Sequence, residues 1–277
     1  MENVLKVIYY SPTGTSCKVA EAVAASAANS YGIGETSVID ITLCKKEVEV
    51  ENCMAIIAAP VYGGRIAPTA VERLESIKAK NSLCAVIALY GNRDYEDALL
   101  ELVNLSRARG FTPIAAGAFI GEHSYSTEEY PIAADRPDSD DLEKAASFGK
   151  EVAAAFERIR SAMVDISGAD ARKIFLDGIP MPAVKGNIPY KEYKPSPATP
   201  QTDSSICVLC GRCIDMCPVG CIEMKDDEHI VSDPSLCTKC CACVKGCPFG
   251  ARIFNTPYSE MLHKNFSARK EPEWLLS

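Results

Sequence analysis

Short apolar segments alternate with helical patterns through the first two thirds of this chain. Continuous or alternating apolar residues are typical of strands, and apolar residues at i, i+3 and i+4 are typical of helices. The pattern predicts five strands, at residues 5–10, 36–41, 55–60, 83–90 and 113–120. It predicts four helices, at residues 15–28, 67–78, 94–109 and 142–163. Strands that alternate with helices indicate crossover connections and therefore a parallel sheet.

The predicted architecture follows from the handedness of these connections. Crossovers are right-handed and a parallel sheet must be covered on both faces, so we expect an α/β domain with a doubly wound, five-stranded parallel sheet over residues 1–178. Residues 179–202 are rich in proline, which excludes a long helix, and we interpret them as a linker. We expect a small α+β domain at 203–256 and a C-terminal tail at 257–277.

The loop after the first predicted strand has the composition of a phosphate site. Ligands of doubly wound sheets bind beyond the carboxyl ends of the strands. This loop leads directly into a helix, whose N-terminus favours anions, and it supplies Ser11, Thr13, Gly14, Thr15 and Ser16. Neither a Walker sequence nor GxGxxG is present, so a single phosphate fits better than a triphosphate or a dinucleotide. An ordinary Ser/Thr helix cap is an equally good interpretation of this loop alone.

Two further loops combine aromatic residues with glycine. The loop after the third strand contains Pro60, Val61, Tyr62, Gly63 and Gly64, and the loop after the fourth contains Tyr90, Gly91, Asn92, Arg93, Asp94 and Tyr95. Planar rings stack on tyrosine, and glycine lets the backbone approach a ring edge. We therefore expect an isoalloxazine ring between Tyr62 and Tyr95, although a single surface tyrosine more often serves packing.

A doubled cysteine array lies after the linker. Each half has the spacing C-x2-C-x2-C-x3-C-P, and the two halves are Cys207, Cys210, Cys213 and Cys217, then Cys237, Cys240, Cys243 and Cys247. In the bacterial two-cluster arrangement the fourth cysteine of each run ligates the other cluster. The predicted ligand sets are therefore Cys207, Cys210, Cys213 and Cys247 for one 4Fe-4S cluster, and Cys217, Cys237, Cys240 and Cys243 for the other.

The two halves superpose when the sequence is shifted by thirty residues. Under this shift Cys221 is opposite Ala251 and Cys241 is opposite Gly211, so we interpret both surplus cysteines as non-ligands. Zinc ribbons also use C-x2-C pairs, but a closed zinc site takes four ligands, usually from two pairs. A disulfide framework would require a small secreted chain, and no secretory signal pattern precedes Val4.

Two family resemblances rest on these motifs. The cysteine array resembles the two-cluster 4Fe-4S ferredoxins. The first domain resembles the flavodoxins, and SPTGTS lies at the position of their hydroxyl-rich phosphate loop. Thr15 and Tyr62 depart from the usual asparagine and tryptophan. Almost the whole chain resembles the fused flavodoxin-ferredoxin proteins, which implies FMN and two 4Fe-4S clusters as cofactors. The resemblance also implies that the peptide at Gly63 contacts the flavin ring.

Composition and charge restrict the cellular location and the binding partners that we expect for the protein. The apolar segments are too short to span a bilayer, and a formal charge of −8 disfavours nucleic acid. We therefore expect a cytoplasmic protein that contacts neither membrane nor nucleic acid. A negative surface is suited to redox partner proteins with basic docking faces, and ordinary solubility explains the charge equally well. A homodimer is possible.

The expected activity is the relay of single electrons between two 4Fe-4S clusters, an FMN and redox partner proteins in low-potential metabolism. No hydrolytic triad or paired carboxylates are present. The alternative is an iron-sulfur flavoprotein reductase that turns over a small substrate such as a quinone or NAD(P)H, and a third is a scaffold without flavin. His123 and Ser124 follow the fifth strand, where they either contact a cofactor or the second domain, or form hydrogen bonds within the loop.

Overall fold

The computed structural model of the protein describes residues 4–194 and 198–277. Its strands are β1 Val4–Tyr9, β2 Glu35–Asp40, β3 Val48–Glu51, β4 Met54–Tyr62, β5 Arg65–Ile66, β6 Ile77–Lys80, β7 Ser82–Tyr90, β8 Phe111–Ile120, β9 Gln201–Thr202, β10 Ile222–Lys225, β11 His229–Ser232, β12 Arg252–Ile253 and β13 Glu273–Leu276. Its helices are α1 Thr15–Tyr31, α2 Pro68–Leu74, α3 Ala98–Ala108, α4 Ser139–Ala162, α5 Ala169–Asp177, α6 Arg212–Asp215, α7 Ala242–Lys245 and α8 Pro257–Phe266.

The central sheet has the order β2-β1-β4-β7-β8, with all of these strands parallel. This is the 2-1-3-4-5 order of flavodoxin-like doubly wound sheets, in which ligands bind where the strand order reverses. The five predicted strands and the α/β class are confirmed. The strands β4, β7 and β8 are almost entirely buried, because helices cover both sides of a parallel sheet, whereas the edge strand β2 is largely exposed.

The helices form two layers around this sheet. On one face, α1 and α4 pack against each other and against the strand residues Leu5, Val7 and Phe119. On the other face, α2 and α3 cover Ile8 and Ile57. Alternate residues of β1 therefore enter opposite cores, as the two-residue period of a strand requires.

The predicted helix at 67–78 is too long by one turn. The helix α2 ends at Leu74, and β6 pairs in parallel with β3 to form a small separate sheet. Ile77 is buried in the core beneath it. In the sequence, Ile77 continues the helical spacing of apolar residues. In the structure it belongs to a strand, because β3 supplies the hydrogen-bond partners of its backbone.

The boundaries of the second domain also differ from those predicted. The linker was predicted to end at 202, but residues 201–202 form β9 and pair with β12, so they belong to the cysteine-rich domain. The segment 257–277 is a structured part of the fold rather than a tail. It contains α8, and β13 extends the large sheet antiparallel to β8, where Trp274 stacks on Phe119 with ring centroids 6.1 Å apart.

The duplication of the cysteine-rich domain is visible in its hydrogen bonds. The backbone N–H of Ser205 donates to the Asp203 carboxylate at 2.9 Å, and that of Ser235 donates to Asp233 at 2.8 Å. The short helices α6 and α7 begin thirty residues apart. Over the described residues, no helix is both long and apolar enough to cross a bilayer.

Candidate functional site

A cavity of about 710 Å³ lies beyond the carboxyl ends of β1, β4, β7 and β8. We call it the large cavity, and its volume is within the range of cofactor sites. Residues from the doubly wound domain that line it include Ser11, Pro12, Thr13, Thr15, Ser16, Pro60, Val61, Tyr62, Gly63, Tyr90, Gly91, Arg93, His123, Ser124 and Tyr125. All three predicted loops therefore contribute to one site, together with the loop after β8.

The first loop is arranged as an anion cradle at the N-terminus of α1. The Ser11 hydroxyl accepts a hydrogen bond from the Cys17 N–H at 3.0 Å and so fixes the loop on the first turn of the helix. The Gly14 N–H donates to the Ser11 carbonyl at 3.2 Å. Gly14 does not line the cavity; it begins the helix in a left-handed conformation, with φ of 84°.

An orphaned hydroxyl in this loop tests the fit of a phosphate. Ser16 is 1% exposed, and its Oγ has no hydrogen-bond partner among the described residues. Leaving a buried hydroxyl unpaired costs free energy. A phosphate oxygen in the cradle would accept from this hydroxyl, with the helix N-terminus supplying favourable potential. The residues of the loop therefore fit a phosphate group.

This arrangement predicts a specific effect of Ser16→Ala. Flavin affinity is expected to fall about tenfold or more, because a hydrogen bond to a charged group contributes ~1.5–3 kcal/mol. The stability of the flavin-free protein should not fall, since the hydroxyl has no partner there. Ser26→Ala is the control, because the Ser26 hydroxyl donates to the Ala146 carbonyl at 2.6 Å, away from the cavity. Fluorescence titration with FMN and thermal unfolding would measure both quantities, and unchanged affinity in Ser16→Ala would exclude this role.

Aromatic residues form the other side of the large cavity. Tyr62 and Tyr90 line it, and Gly63 presents its backbone there with φ of 62°, a conformation that favours glycine. The absence of a side chain at Gly91 makes room for His123, whose Cδ2 lies 2.3 Å from where a Cβ would stand. Planar aromatic walls with exposed backbone are suited to a flavin ring.

His123 is held as a neutral ring within this wall. Burial lowers its pKa to about 4, and the charges of Arg93 and Lys245 act in the same direction. The Tyr125 N–H donates to His123 Nδ1 at 3.0 Å, which places the ring proton on Nε2. His123 is therefore an uncharged Nε2–H donor at neutral pH. His123 thus lines the cavity and also forms a hydrogen bond within its own loop, so both interpretations of this residue stay open.

The prediction that a flavin ring lies against Tyr95 is corrected by the structure. Tyr95 is 5% exposed and does not line the cavity. Its ring packs edge-on against Tyr90 at 5.5 Å, and the Lys185 ammonium of the linker covers it at 3.9 Å from the centroid. Tyr95 therefore supports the wall formed by Tyr90 instead of contacting a bound ring directly.

The other predicted residues outside the lining fasten the linker and the C-terminal segment. Asn92 donates from Nδ2 to the Phe266 carbonyl at 2.5 Å and the Ala268 carbonyl at 2.8 Å. Asp94 pairs with Lys185 at 3.1 Å. Gly64 is buried under Glu96. The loop after β7 thus divides its residues between the cavity and these two segments.

Several lining residues were missed by the sequence reasoning because they come from distant segments. They are residues 191–194 of the linker, Thr238 and Lys239 of the cysteine-rich domain, and Tyr258, Met261 and Leu262 of α8. The two tyrosines within residues 186–194 are the one signal in the sequence that this part of the linker packs against the protein. The Asp97 carboxylate anchors that segment by accepting from the Lys191 N–H at 2.6 Å.

The cysteines gather around two smaller cavities. The first, the outer cavity, is lined by Cys207, Cys210, Cys213 and Cys247, and the second, the inner cavity, by Cys217, Cys237, Cys240 and Cys243. Each grouping combines three cysteines of one run with the last cysteine of the other. The structure therefore places together the same four residues that the predicted ligand sets contain. Among the described residues, no three ligand-type side chains converge as they would on a single metal ion.

The two surplus cysteines also lie at the inner cavity. Cys221 places its Sγ 3.5 Å from Cys217 Sγ, and a hydrogen bond from Cys221 lowers the pKa of Cys217 to about 6 and that of Cys237 to about 5. The Cys241 thiol donates instead to the Lys239 carbonyl at 3.5 Å. Burial raises the pKa of Cys240 and Cys243 in the same set, so the thiolate form in which cysteine binds iron is favoured at Cys217 and Cys237 and opposed at the other two.

The inner cavity and the large cavity share a wall. Thr238 lines both, and it lies between Cys237 and Cys240 in the chain. Its hydroxyl is buried without a partner among the described residues. The two cavities therefore meet at this residue of the cysteine-rich domain.

Two basic residues hold the domains in this arrangement. Arg73 is 8% exposed and donates to the carbonyls of Ile41, at 2.7 Å, and Thr42 in its own domain and of Pro218 across the interface. Lys245 pairs with Glu122 at 2.5 Å. Because Pro218 directly follows Cys217, the Arg73 contact fixes the inner cavity against the doubly wound domain.

Comparison with known proteins identifies the second domain. Residues 206–251 match the family model described as a 4Fe-4S dicluster domain. No curated protein matches the chain.

Solved structures that resemble the chain are distant. A rubredoxin oxygen:oxidoreductase from Desulfovibrio gigas shares 16% identity at a TM-score of 0.41 over 56% of this chain and 36% of that one. A flavodoxin from the Archaea has 16% identity, a TM-score of 0.37 and coverage of 56% and 99%. Flavodoxin 1 from Bacillus cereus shares 18% identity at a TM-score of 0.36, over 56% of this chain and 97% of that one. This chain therefore spans just over a third of the length of the oxidoreductase.

Proposed function

We propose that this chain, in which a flavodoxin-like domain precedes a 4Fe-4S dicluster domain, relays single electrons between an FMN, two 4Fe-4S clusters and redox partner proteins. The observation that carries the proposal is the shared wall at Thr238 between the inner cavity and the large cavity. Electron exchange between cofactors requires close approach, and this wall provides it within one chain.

The FMN would be held at two ends. The loop from Ser11 to Ser16 binds the phosphate through hydroxyls and the helix N-terminus. Tyr62, Tyr90 and the backbone of Gly63 and Gly91 enclose the ring, and His123 presents an Nε2–H donor in the same wall. A bound FMN supplies chemistry that accepts one or two electrons. Residues 191–194 and α8 close the remaining side and restrict access of water.

The two predicted cysteine sets would hold the clusters in sequence from the flavin to the surface. At the inner cavity, Cys240 and Cys243 are 9% and 7% exposed. At the outer cavity, Cys210 is exposed, and Val208 and Phe249 expose 55% and 50% of their surface. The outer cluster is therefore the one available to a partner protein, and the inner cluster is the one adjacent to the flavin.

Anaerobic purification followed by quantitation of flavin, iron and acid-labile sulfide tests this proposal. We expect one FMN and about eight irons with as many sulfides per chain, the content of two 4Fe-4S centres. Iron without extractable flavin would support a scaffold and contradict the relay. Steady turnover of NAD(P)H with a small acceptor by the holoprotein alone would favour the reductase, whereas reduction only by protein donors agrees with a carrier.

A further inference from the structure

Arg252 breaks the internal duplication of the cysteine-rich domain. The shift of thirty residues that superposes the cysteine runs places Arg252 opposite Ile222, so one half has a cation where the other has an apolar side chain. Arg252 is nevertheless 3% exposed. Arginine is rarely buried to this extent unless it is paired, and its position therefore calls for a specific counterpart.

The guanidinium of Arg252 is held by neutral groups and one thiol. Nη1 donates to Thr202 Oγ1 at 2.6 Å, while Nη2 donates to Ser232 Oγ at 2.5 Å, to the Pro200 carbonyl at 3.1 Å and to Cys243 Sγ at 3.8 Å. The Nε–H has no partner among the described residues. No carboxylate among the described residues forms an ion pair with Arg252.

Arg252 lines both the outer cavity and the inner cavity. A buried charge without an ionic partner is costly. The groups around it that carry negative charge when they bind iron are the cysteine thiolates of the two sets. Cys243 Sγ lies 3.8 Å from its Nη2, and Cys213 lines the outer cavity together with Arg252. The cation thus lines both cavities, where iron-bound thiolates would place negative charge on either side of it.

We propose that Arg252 is a shared tuning residue that raises the reduction potential of both clusters. Adding an electron makes a cluster more negative, so a fixed positive charge beside it stabilises the reduced form, as do hydrogen bonds to its sulfurs. This inference rests on the proposed two-cluster function. Arg252 affects both clusters, because its side chain lines both cavities.

The test is a redox titration of the holoprotein, monitored by electron paramagnetic resonance. Arg252→Gln removes the charge at similar size, and the ratio of reduced to oxidised form at a fixed potential should fall about tenfold for each cluster, about 59 mV for a one-electron couple. Arg252→Lys should retain most of the potential. Arg212→Gln is the matched control, because Arg212 lines the outer cavity but is exposed, so water screens its charge.

A second variant covers the case in which Arg252→Gln loses iron. Ser232→Asp would place a carboxylate beside the guanidinium and neutralise its charge without removing the side chain. Both potentials should again fall. Unshifted potentials in an iron-replete variant, or a shift of one cluster alone, would overturn the role of Arg252. Iron well below about eight per chain in the unsubstituted protein would contradict the proposed function itself.

Discussion

Replacing Cys243 by alanine is expected to lower the iron content from about eight to about four atoms per chain, because it removes a ligand of one cluster only. Cys243 belongs to α7 and lines the inner cavity, whereas a separate set of four cysteines lines the outer cavity. The loss should also stop electrons that enter at the outer cluster from reaching the flavin. Iron and sulfide quantitation relative to flavin, after anaerobic reconstitution, measures the first effect.

Cys221→Ala is the matched control for this experiment. Cys221 lines the same cavity and is 5% exposed, but it falls outside both predicted ligand sets. We expect this variant to keep its full iron content. Equal iron loss from the two variants would show that Cys221 is a ligand, and full iron in Cys243→Ala would show that the predicted set is wrong.

Arg73→Met is expected to slow electron exchange between the flavin and the inner cluster. The Arg73 guanidinium donates to carbonyls of both domains, and it is buried at their interface. Its removal leaves buried carbonyls unpaired, each of which costs ~1–3 kcal/mol. The domains should therefore separate more readily at the position of Pro218, which moves Thr238 away from the large cavity. Flash reduction of the flavin followed by cluster absorbance would give the exchange rate.

A surface arginine provides the comparison for Arg73. Arg107 is exposed, and among the described residues its side chain donates only to the Asp177 carbonyl, at 3.4 Å within the doubly wound domain. Arg107→Met should leave both the exchange rate and the free energy of unfolding close to those of the parent protein. The same exchange rate in Arg73→Met as in the parent would exclude a role of this contact in bringing the cofactors together.

The elements that the sequence predicted best are those specified by local pattern. The strands around Ile56 and Val86 are continuously apolar because both of their faces are covered, and that signal lies within each segment. The cysteine groupings follow from the spacing of the two runs together with the ligand crossing of the bacterial two-cluster arrangement. The loop from Ser11 to Ser16 lines the large cavity as expected, because a loop that follows a parallel strand lies at the carboxyl end of the sheet.

The parts that were not predicted depend on contacts between distant segments. Tyr95 is an aromatic residue in a loop after a strand, as a ring-stacking residue would be. However, Lys185, ninety residues later, covers the face of its ring. Thr238 occupies a spacer position between two cysteines, and only the docking of the domains brings it to the large cavity. The last strand, β13, pairs with the edge strand β8, and the local sequence pattern does not predict this pairing or its register.

The central claim is that FMN and the inner cluster exchange electrons within one chain across Thr238. The most direct test follows cluster absorbance after flash reduction of the flavin, at several protein concentrations. We predict a single first-order rate constant that does not change with concentration. A rate that rises in proportion to concentration, or a reduced flavin that leaves the clusters oxidised when their potentials favour reduction, would contradict the claim.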